Sequence, residues 1–222
     1  MNPDLLPLLS LNNVFSSLSQ AEMTEFAQLA VARKYQKGEY LCMQGDLWPY
    51  LFIIAHGVVD AQKDSLEGRS LLIASFGEGE VFWGPTFFEE QAAMPVTLVA
   101  RMASRVYLWR RLESQAFIVQ HGAMSWEIAC LMAQRMLHAS EIVEGLAFQP
   151  VAQRLARLLL EQFPADNTAT ERHLTLDDMA SRIGTTREMV CRILYRFAAQ
   201  GAIQINRTEF VFKDRQWLES YK

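Results

Sequence analysis

The spacing of hydrophobic and polar positions changes character along the chain. From Leu5 to Ala32 it is helical: Ser19 and Glu22 stand at capping-box distance, and Phe26, Leu29 and Ala30 come after them at helical intervals. From Tyr35 to Trp109 the apolar runs shorten to Tyr40-Leu41-Cys42, Leu51 to Ile54, Val58-Val59, Leu71 to Ile73, Val81-Phe82, Val96 to Ala100 and Val106 to Trp109. Turns divide them at Lys37-Gly38-Glu39, Gln44-Gly45-Asp46, His56-Gly57, Glu67-Gly68 and Gly77-Glu78-Gly79-Glu80. Short strands separated by glycine turns predict a barrel or jelly roll.

From about Glu113 to Phe148 there is no proline, and the only glycines are Gly122 and Gly145. Trp126, Ala129, Met132, Ala133, Met136, Ala139, Val143 and Leu146 keep one side of a long helix apolar. A stripe this long exceeds what one small barrel covers. It predicts a dimer seam of coiled-coil type, against the alternative of a helix packed only on its own barrel. Gln149-Pro150 ends that helix, because a residue before proline avoids the helical region. Val151 to Phe163 predicts a further amphipathic helix, and Pro164 to Arg172 a polar loop.

Leu174 to Phe197 predicts two short helices around a tight turn. Thr175 and Asp178 cap the first, which turns Leu176, Met179, Ala180 and Ile183 inward, and Gly184 allows the turn. Thr185 and Thr186 cap the second, which buries Met189, Val190, Ile193, Leu194 and Phe197. Arg187, Glu188, Arg192 and Arg196 are left on its exposed face. Arginine donates two hydrogen bonds to guanine O6 and N7, and a carboxylate accepts from cytosine N4. The first turns of a recognition helix are the ones that reach base edges. The same residues have a plainer explanation: Glu188 completes a capping box with Thr185, and Arg192 pairs with Glu188 one turn away. The residues beyond this helix favour base reading. Ala199-Gln200-Gly201 ends the helix, and Ala202 to Ile205 and Glu209 to Phe212 flank Asn206-Arg207-Thr208 as a β-hairpin wing.

Charge is distributed accordingly. The net charge of the whole chain is −4, yet from Pro150 onward eleven Lys and Arg stand against nine Asp and Glu. A mildly basic C-terminal part behind an acidic N-terminal one is the asymmetry of a chain that meets phosphate only at one end. Cys42, Cys130 and Cys191 are odd in number and dispersed, which suggests neither a zinc site nor a disulfide framework and fits the cytoplasm. Met1-Asn2-Pro3-Asp4 does not begin a signal peptide, and no apolar run is long enough for a membrane span. An enzyme of cupin type needs clustered histidines, whereas His56, His121, His138 and His173 are scattered, and no GxSxG, P-loop or HExxH occurs. No catalytic or metal-binding residue is assigned.

Taken together, these residues resemble the Crp/Fnr family of bacterial regulators, which pair a cyclic-nucleotide-binding β-roll with a winged helix. The resemblance covers nearly the whole chain. It rests on the glycine pattern Lys37-Gly38-Glu39, Gln44-Gly45-Asp46, Gly57 and Gly79-Glu80, on Leu146-Ala147-Phe148, and on Thr186 to Leu194. Family members similar to the cyclic-AMP receptor read TGTGA-like half-sites with an Arg-Glu-x-x-x-Arg set, which Arg187, Glu188 and Arg192 match position for position. The resemblance implies an α+β fold in three parts: an effector-sensing β-roll over 1–112, a dimerisation helix over 113–149, and a winged helix-turn-helix over 150–222. It implies a homodimer on double-stranded DNA, with RNA polymerase as a further partner. The expected DNA-binding residues are Thr185, Thr186, Arg187, Glu188, Arg192 and Arg196. The remaining rival is a ligand-binding regulatory protein that never touches DNA.

The chain departs from the family at the nucleotide site. The family's Gly-Glu and Arg-Ser pairs fall at or near Pro85 and on Met94-Pro95, and a threonine that meets adenine falls on Ala139. A cyclic phosphate needs a cation and donors, so cyclic AMP is not expected to bind in the family manner. The iron–sulfur branch is not expected either, since no cysteine precedes Cys42. What remains is an apolar pocket formed by Phe82, Trp83, Pro85, Met94, Pro95 and Ala139, with Phe87, Phe88, Met132 and Met136 nearby. It would take an apolar small molecule, or haem with an axial ligand from His138, Cys130, Met94 or His121, or be filled by its own side chains.

Overall fold

The computed structural model describes residues 4–65, 69–163, 169–171, 173–206 and 209–221. They form two compact units, one comprising the chain up to Asp64 with Ile73–Ala139, the other Ser65–Leu72 with Ser140 onward. The turns expected at Glu67-Gly68 and Arg207-Thr208 lie outside the described residues.

The first unit opens with α1 (Leu5–Ser10) and α2 (Gln20–Gln28), joined through a 3-10 turn at Asn13–Phe15. This corrects the expectation of a helical stretch from Leu5 to Ala32. The Asn12 side chain accepts from the Val14 N–H at 2.9 Å and donates to the Gly79 carbonyl at 2.7 Å, holding the chain out of helix. The Ser19–Glu22 capping box then starts α2. Val31 and Ala32 belong to a strand.

Eight strands come next: β1 (Val31–Tyr35), β2 (Tyr40–Cys42), β3 (Tyr50–His56), β4 (Val59–Asp64), β5 (Ser70–Phe76), β6 (Val81–Trp83), β7 (Thr97–Ala100) and β8 (Ser104–Arg110). They make two four-stranded sheets, ordered β1-β8-β3-β6 and β2-β7-β4-β5. Strands β3 and β8 are buried on both faces, which is why their sequences are continuously apolar rather than alternating. Phe52, Ile54, Val106 and Leu108 point between the sheets with Phe76, Met94 and Leu98. Leu51, Ile53, Tyr107 and Trp109 point the other way, onto Leu5, Leu9, Phe15 and Phe26 of the N-terminal segment. The Trp109 indole stacks on Phe26 at 4.8 Å and donates to its carbonyl at 2.8 Å, so this buried donor is satisfied.

The helix expected over Glu113–Phe148 is two helices, α3 (Arg111–Gln120) and α4 (Gly122–Phe148). His121 leaves the helical region at φ −99°, ψ 80°. Its Nδ1 lies 2.7 Å from the Phe117 carbonyl, and the Ser125 hydroxyl donates at 2.6 Å to the Ile118 carbonyl, the acceptor that the Gly122 N–H would use in a continuous helix. Along α4, Met124 and Ile128 are buried against the roll, with Leu131 and Met132 packed beside them. Trp126, Ala129, Ala133, Met136, Ser140, Val143 and Ala147 are exposed, at alternating steps of three and four.

In the second unit, α5 (Val151–Gln162) is succeeded by β9 (Ala169–Glu171), α6 (Leu176–Ile183), α7 (Arg187–Ala199), β10 (Ile203–Ile205), β11 (Glu209–Phe212) and α8 (Arg215–Glu219). Part of the stretch expected as a polar loop is strand β9, which pairs with β11 in a sheet ordered β10-β11-β9. The segment 164–168 and Arg172 lie outside the described residues. Leu155, Leu159, Phe163, Met179, Ile183, Val190, Leu194, Phe197, Phe210 and Phe212 form one core. Among the described residues no helix is long and apolar enough to cross a membrane.

Candidate nucleic-acid interface

The interface is built on the α6–α7 pair. Thr175 and Asp178 close a full capping box at the start of α6. Gly184 ends that helix at φ +63°, a left-handed conformation that suits glycine, and a Cβ there would stand 2.6 Å from Leu146 Cδ2. The Thr185 N–H closes the turn by donating to the Ala180 carbonyl at 3.0 Å. Thr186 is the N-cap of α7, its hydroxyl accepting from the Met189 N–H at 3.3 Å. Because the cap is Thr186, Met189 occupies the position a capping-box glutamate would need, and Glu188 does not form a box with Thr185.

Val190, Ile193, Leu194 and Phe197 bury the inner face of α7, leaving Arg187, Glu188, Arg192, Tyr195 and Arg196 exposed on the outer one. Its own backbone N–H and the Thr186 hydroxyl hold the Glu188 carboxyl below the usual carboxylate range, aided by the Arg187 charge. It is therefore ionised and acceptor-only at neutral pH. Arg192 does not pair with Glu188; its guanidinium lies 2.8 Å from Met189 Sδ. Arg187 is engaged, with Nη1 3.0 Å from Asp177 Oδ2 on α6. Arg196 sits one turn further on, its guanidinium 5.9 Å from the Tyr221 ring centre. Beside this face a concavity of about 550 Å³ is floored by Met189 and Ile193 and edged by Arg192, Arg196 and Pro150.

Arg154 is a residue the sequence did not single out. It is 8% exposed on α5, donating from Nε to the Ile183 carbonyl at 2.8 Å and from Nη1 to the carbonyls of Gln149 at 2.6 Å and Gly145 at 3.2 Å. These acceptors belong to the ends of α4 and α6, where helix dipoles concentrate negative potential. A cation thus sits at two helix C-termini, and burial, with some repulsion from Arg157, lowers its pKa. The one signal in the sequence was an arginine within the apolar side of α5.

The expected effector residues are divided by the structure. Met94 is 1% exposed inside the roll core, its N–H bonded to the Asp46 carbonyl. Phe82 is half-buried between Phe76 and Trp83 at 4.4 and 5.6 Å between ring centres. Pro85 is half-buried at the start of a 3-10 turn that buries Phe87, whereas Pro95, Phe88, Met136 and Ala139 are exposed. The charged group on the roll side of α4 is Arg135, missed in the sequence, which pairs with Glu80 at 3.3 Å and lies 4.9 Å from the Phe76 ring centre. Among the haem-ligand candidates, His121 has both ring nitrogens occupied, Nδ1 by the Phe117 carbonyl and Nε2 by Glu22 at 3.2 Å. His138 is exposed on α4 and Cys130 half-buried. Among the described residues no group of three His, Cys, Asp or Glu side chains could hold a metal ion.

Residues 32–123 match the cyclic nucleotide-binding domain, and residues 153–221 the Crp-like helix-turn-helix domain. The cyclic AMP receptor protein of Thermus thermophilus is 24% identical over 86% of this chain and 88% of its own length. The cAMP-activated global transcriptional regulator Vfr of Pseudomonas aeruginosa is 26% identical, over 82% and 90%. In structure, the c-di-GMP responsive global regulator CLP of Xanthomonas campestris is similar with a TM-score of 0.76 at 20% identity, covering 87% of this chain and 99% of that one. With its β-roll and helix-turn-helix each matched, and relatives of the same kind along most of its length, the chain belongs to the Crp/Fnr family of DNA-binding transcription regulators.

Proposed function

We propose that this regulator acts as a homodimer on a palindromic operator with TGTGA-like half-sites, reading bases through Arg187, Glu188 and Arg192. The carrying observation is the outer face of α7, where two arginines and an ionised glutamate stand together on a helix whose opposite face is fixed in a core. Thr186 and the N-terminus of α7 suit a phosphate, and Thr185 and Arg196 flank the reading set. The dimer is supported by the exposed seam on α4. Its steps of three and four from Trp126 to Ala147 are a heptad repeat, and Ala129, Ala133, Ser140 and Ala147 are small enough for close helix approach.

The effector is a molecule other than cyclic AMP. Where the family places an arginine for the cyclic phosphate, this chain has a methionine enclosed among Phe52, Phe76 and Leu98. RNA polymerase is the further partner we propose for this regulator.

Fluorescence anisotropy with a TGTGA palindrome and a scrambled duplex of equal length tests the reading. The palindrome should bind more tightly, Arg192→Ala should remove most of that preference, and cyclic AMP should leave it unchanged. Equal affinity for the two duplexes would refute base reading by α7.

A further inference from the structure

A row of basic side chains crosses the first sheet, and the DNA-reading role does not use it. In the β1–β8 register Lys34 lies directly opposite Arg105, and on β3 a bulge after Ile54 brings His56, rather than Ala55, opposite Arg105. Paired residues share a face, and neighbouring strands are about 4.8 Å apart, so three basic groups stand in one line. Like charges directly opposite one another destabilise a sheet. The chain offsets this only in part. Arg105 pairs with Asp4 at 2.7 Å and His56 lies 3.9 Å from Glu78, while Lys34 has no ion-pair partner among the described residues. Two residues along β8, on the same face, the fully buried Tyr107 hydroxyl has no hydrogen-bond partner.

This row is one wall of a groove of about 600 Å³, within the range of small-molecule sites. The facing wall is apolar: Pro7 and Leu8 of α1, and Leu11 just beyond it, which is 86% exposed. Ala55 adds an apolar contact beside His56. The groove therefore joins the Lys34 and Arg105 cations to a partly exposed apolar strip. Asp4 already shows how the line is used, since it sets a carboxylate on Arg105 from a flanking segment, and both side chains are partly exposed, so the contact is exchangeable.

We propose that this groove binds a small organic anion with an apolar body, its carboxylate on Arg105 and Lys34 in place of Asp4 and its body along Leu8 and Leu11. The chemistry favours a monoanion. Asp4 and Glu78 border the same groove and repel a polyanion more strongly than a single carboxylate. The site lies within the first unit and does not depend on how α7 reads DNA.

Calorimetric titration of the full-length protein with octanoate tests it, with sulfate and 1-octanol as the charge-only and body-only probes. Octanoate should bind, and each partial probe should bind at least tenfold more weakly. Arg105→Gln or Lys34→Gln should weaken octanoate by about tenfold or more, as expected for loss of a charge-assisted hydrogen bond. Asp4→Asn should tighten it several-fold, a gain that a misfolded protein would not give. Circular dichroism melting of each variant separates lost binding from lost fold, with Lys34→Gln as the exposed substitution least able to disturb it. Absence of octanoate binding to both the parent and Asp4→Asn overturns the proposal. So does binding that ignores both basic substitutions in folded protein, and so does sulfate binding as tightly as octanoate.

Discussion

Asp177→Asn distinguishes two roles for the carboxylate that holds Arg187. In the free protein Arg187 Nη1 is 3.0 Å from Asp177 Oδ2, with the two side chains 60% and 68% exposed. A pair this open is worth about 0–1 kcal/mol. A bidentate arginine–guanine contact is worth about 1–3 kcal/mol. The base contact therefore wins, but the arginine must first leave Asp177, and the ion pair lowers the net gain. Asp177→Asn should tighten operator binding by up to about fivefold, the equivalent of roughly 1 kcal/mol. Arg187→Ala should weaken it by about 5- to 150-fold. In the Arg187→Ala background the Asp177 substitution should change affinity by less than about twofold, because the removed acid then acts only through screened repulsion of phosphate. Anisotropy titrations of the four proteins on one palindrome, at one salt concentration, give the coupling directly. Asp177 also stands in the first turn of α6, where an acid favours the helix dipole, so the melting temperature is measured in parallel. The reasoning is refuted if Asp177→Asn weakens binding only when Arg187 is present. Asp177 would then orient the arginine toward the base rather than compete for it.

Particular contacts give the other expected outcomes. Arg154→Met removes three charge-assisted hydrogen bonds and leaves the Ile183, Gln149 and Gly145 carbonyls without that donor. The cost should be about 2–4 kcal/mol, a fall of roughly 5–15 °C in melting temperature. Burial lowers the Arg154 pKa from a value far above neutrality, so the loss should be equal at pH 6 and pH 8, and a shift under 2 °C would remove the residue from the latch between α4 and α6. Met136→Lys puts a charge in the middle of the α4 seam and should convert the dimer to monomer in sedimentation velocity; an intact dimer would move the interface off this face. Burial pushes the Cys42 thiol up to about 12, from an ordinary value of 9.0. At pH 8 it should alkylate about a thousandfold more slowly than an unperturbed thiol, whereas half-buried Cys130 and Cys191 react first in a mass-resolved iodoacetamide time course. Equal rates at all three would contradict the closed roll core.

Much of this architecture was legible because its signals are local. The runs Leu51 to Ile54 and Val106 to Trp109 read as strands since both their faces are buried, and the α6–α7 pair read correctly because Thr175, Gly184 and Thr186 occupy the caps their side chains suit. The misreadings have two physical origins, a partner distant in sequence and a side chain that competes with the backbone. Strand β1 is almost wholly exposed and shows no alternation, so only its pairing with β8 makes it a strand. The break before α4 falls where the Ser125 hydroxyl, seven residues further on, takes the Ile118 carbonyl. Arg154 was not singled out because its acceptors lie at the ends of two other helices. The basic row is the furthest from local legibility. Lys34, His56 and Arg105 come from three separate strands, and only the register of β1, β8 and β3 makes them neighbours. A one-residue slip in either pairing would send one of the three to the opposite face. The alternation of Ile53 and Tyr107 outward with Ile54 and Val106 inward fixes the register as far as Ile54, and the bulge beyond it brings His56 opposite Arg105. The packing that stabilises the roll thereby also sets the geometry of a charged groove on its surface.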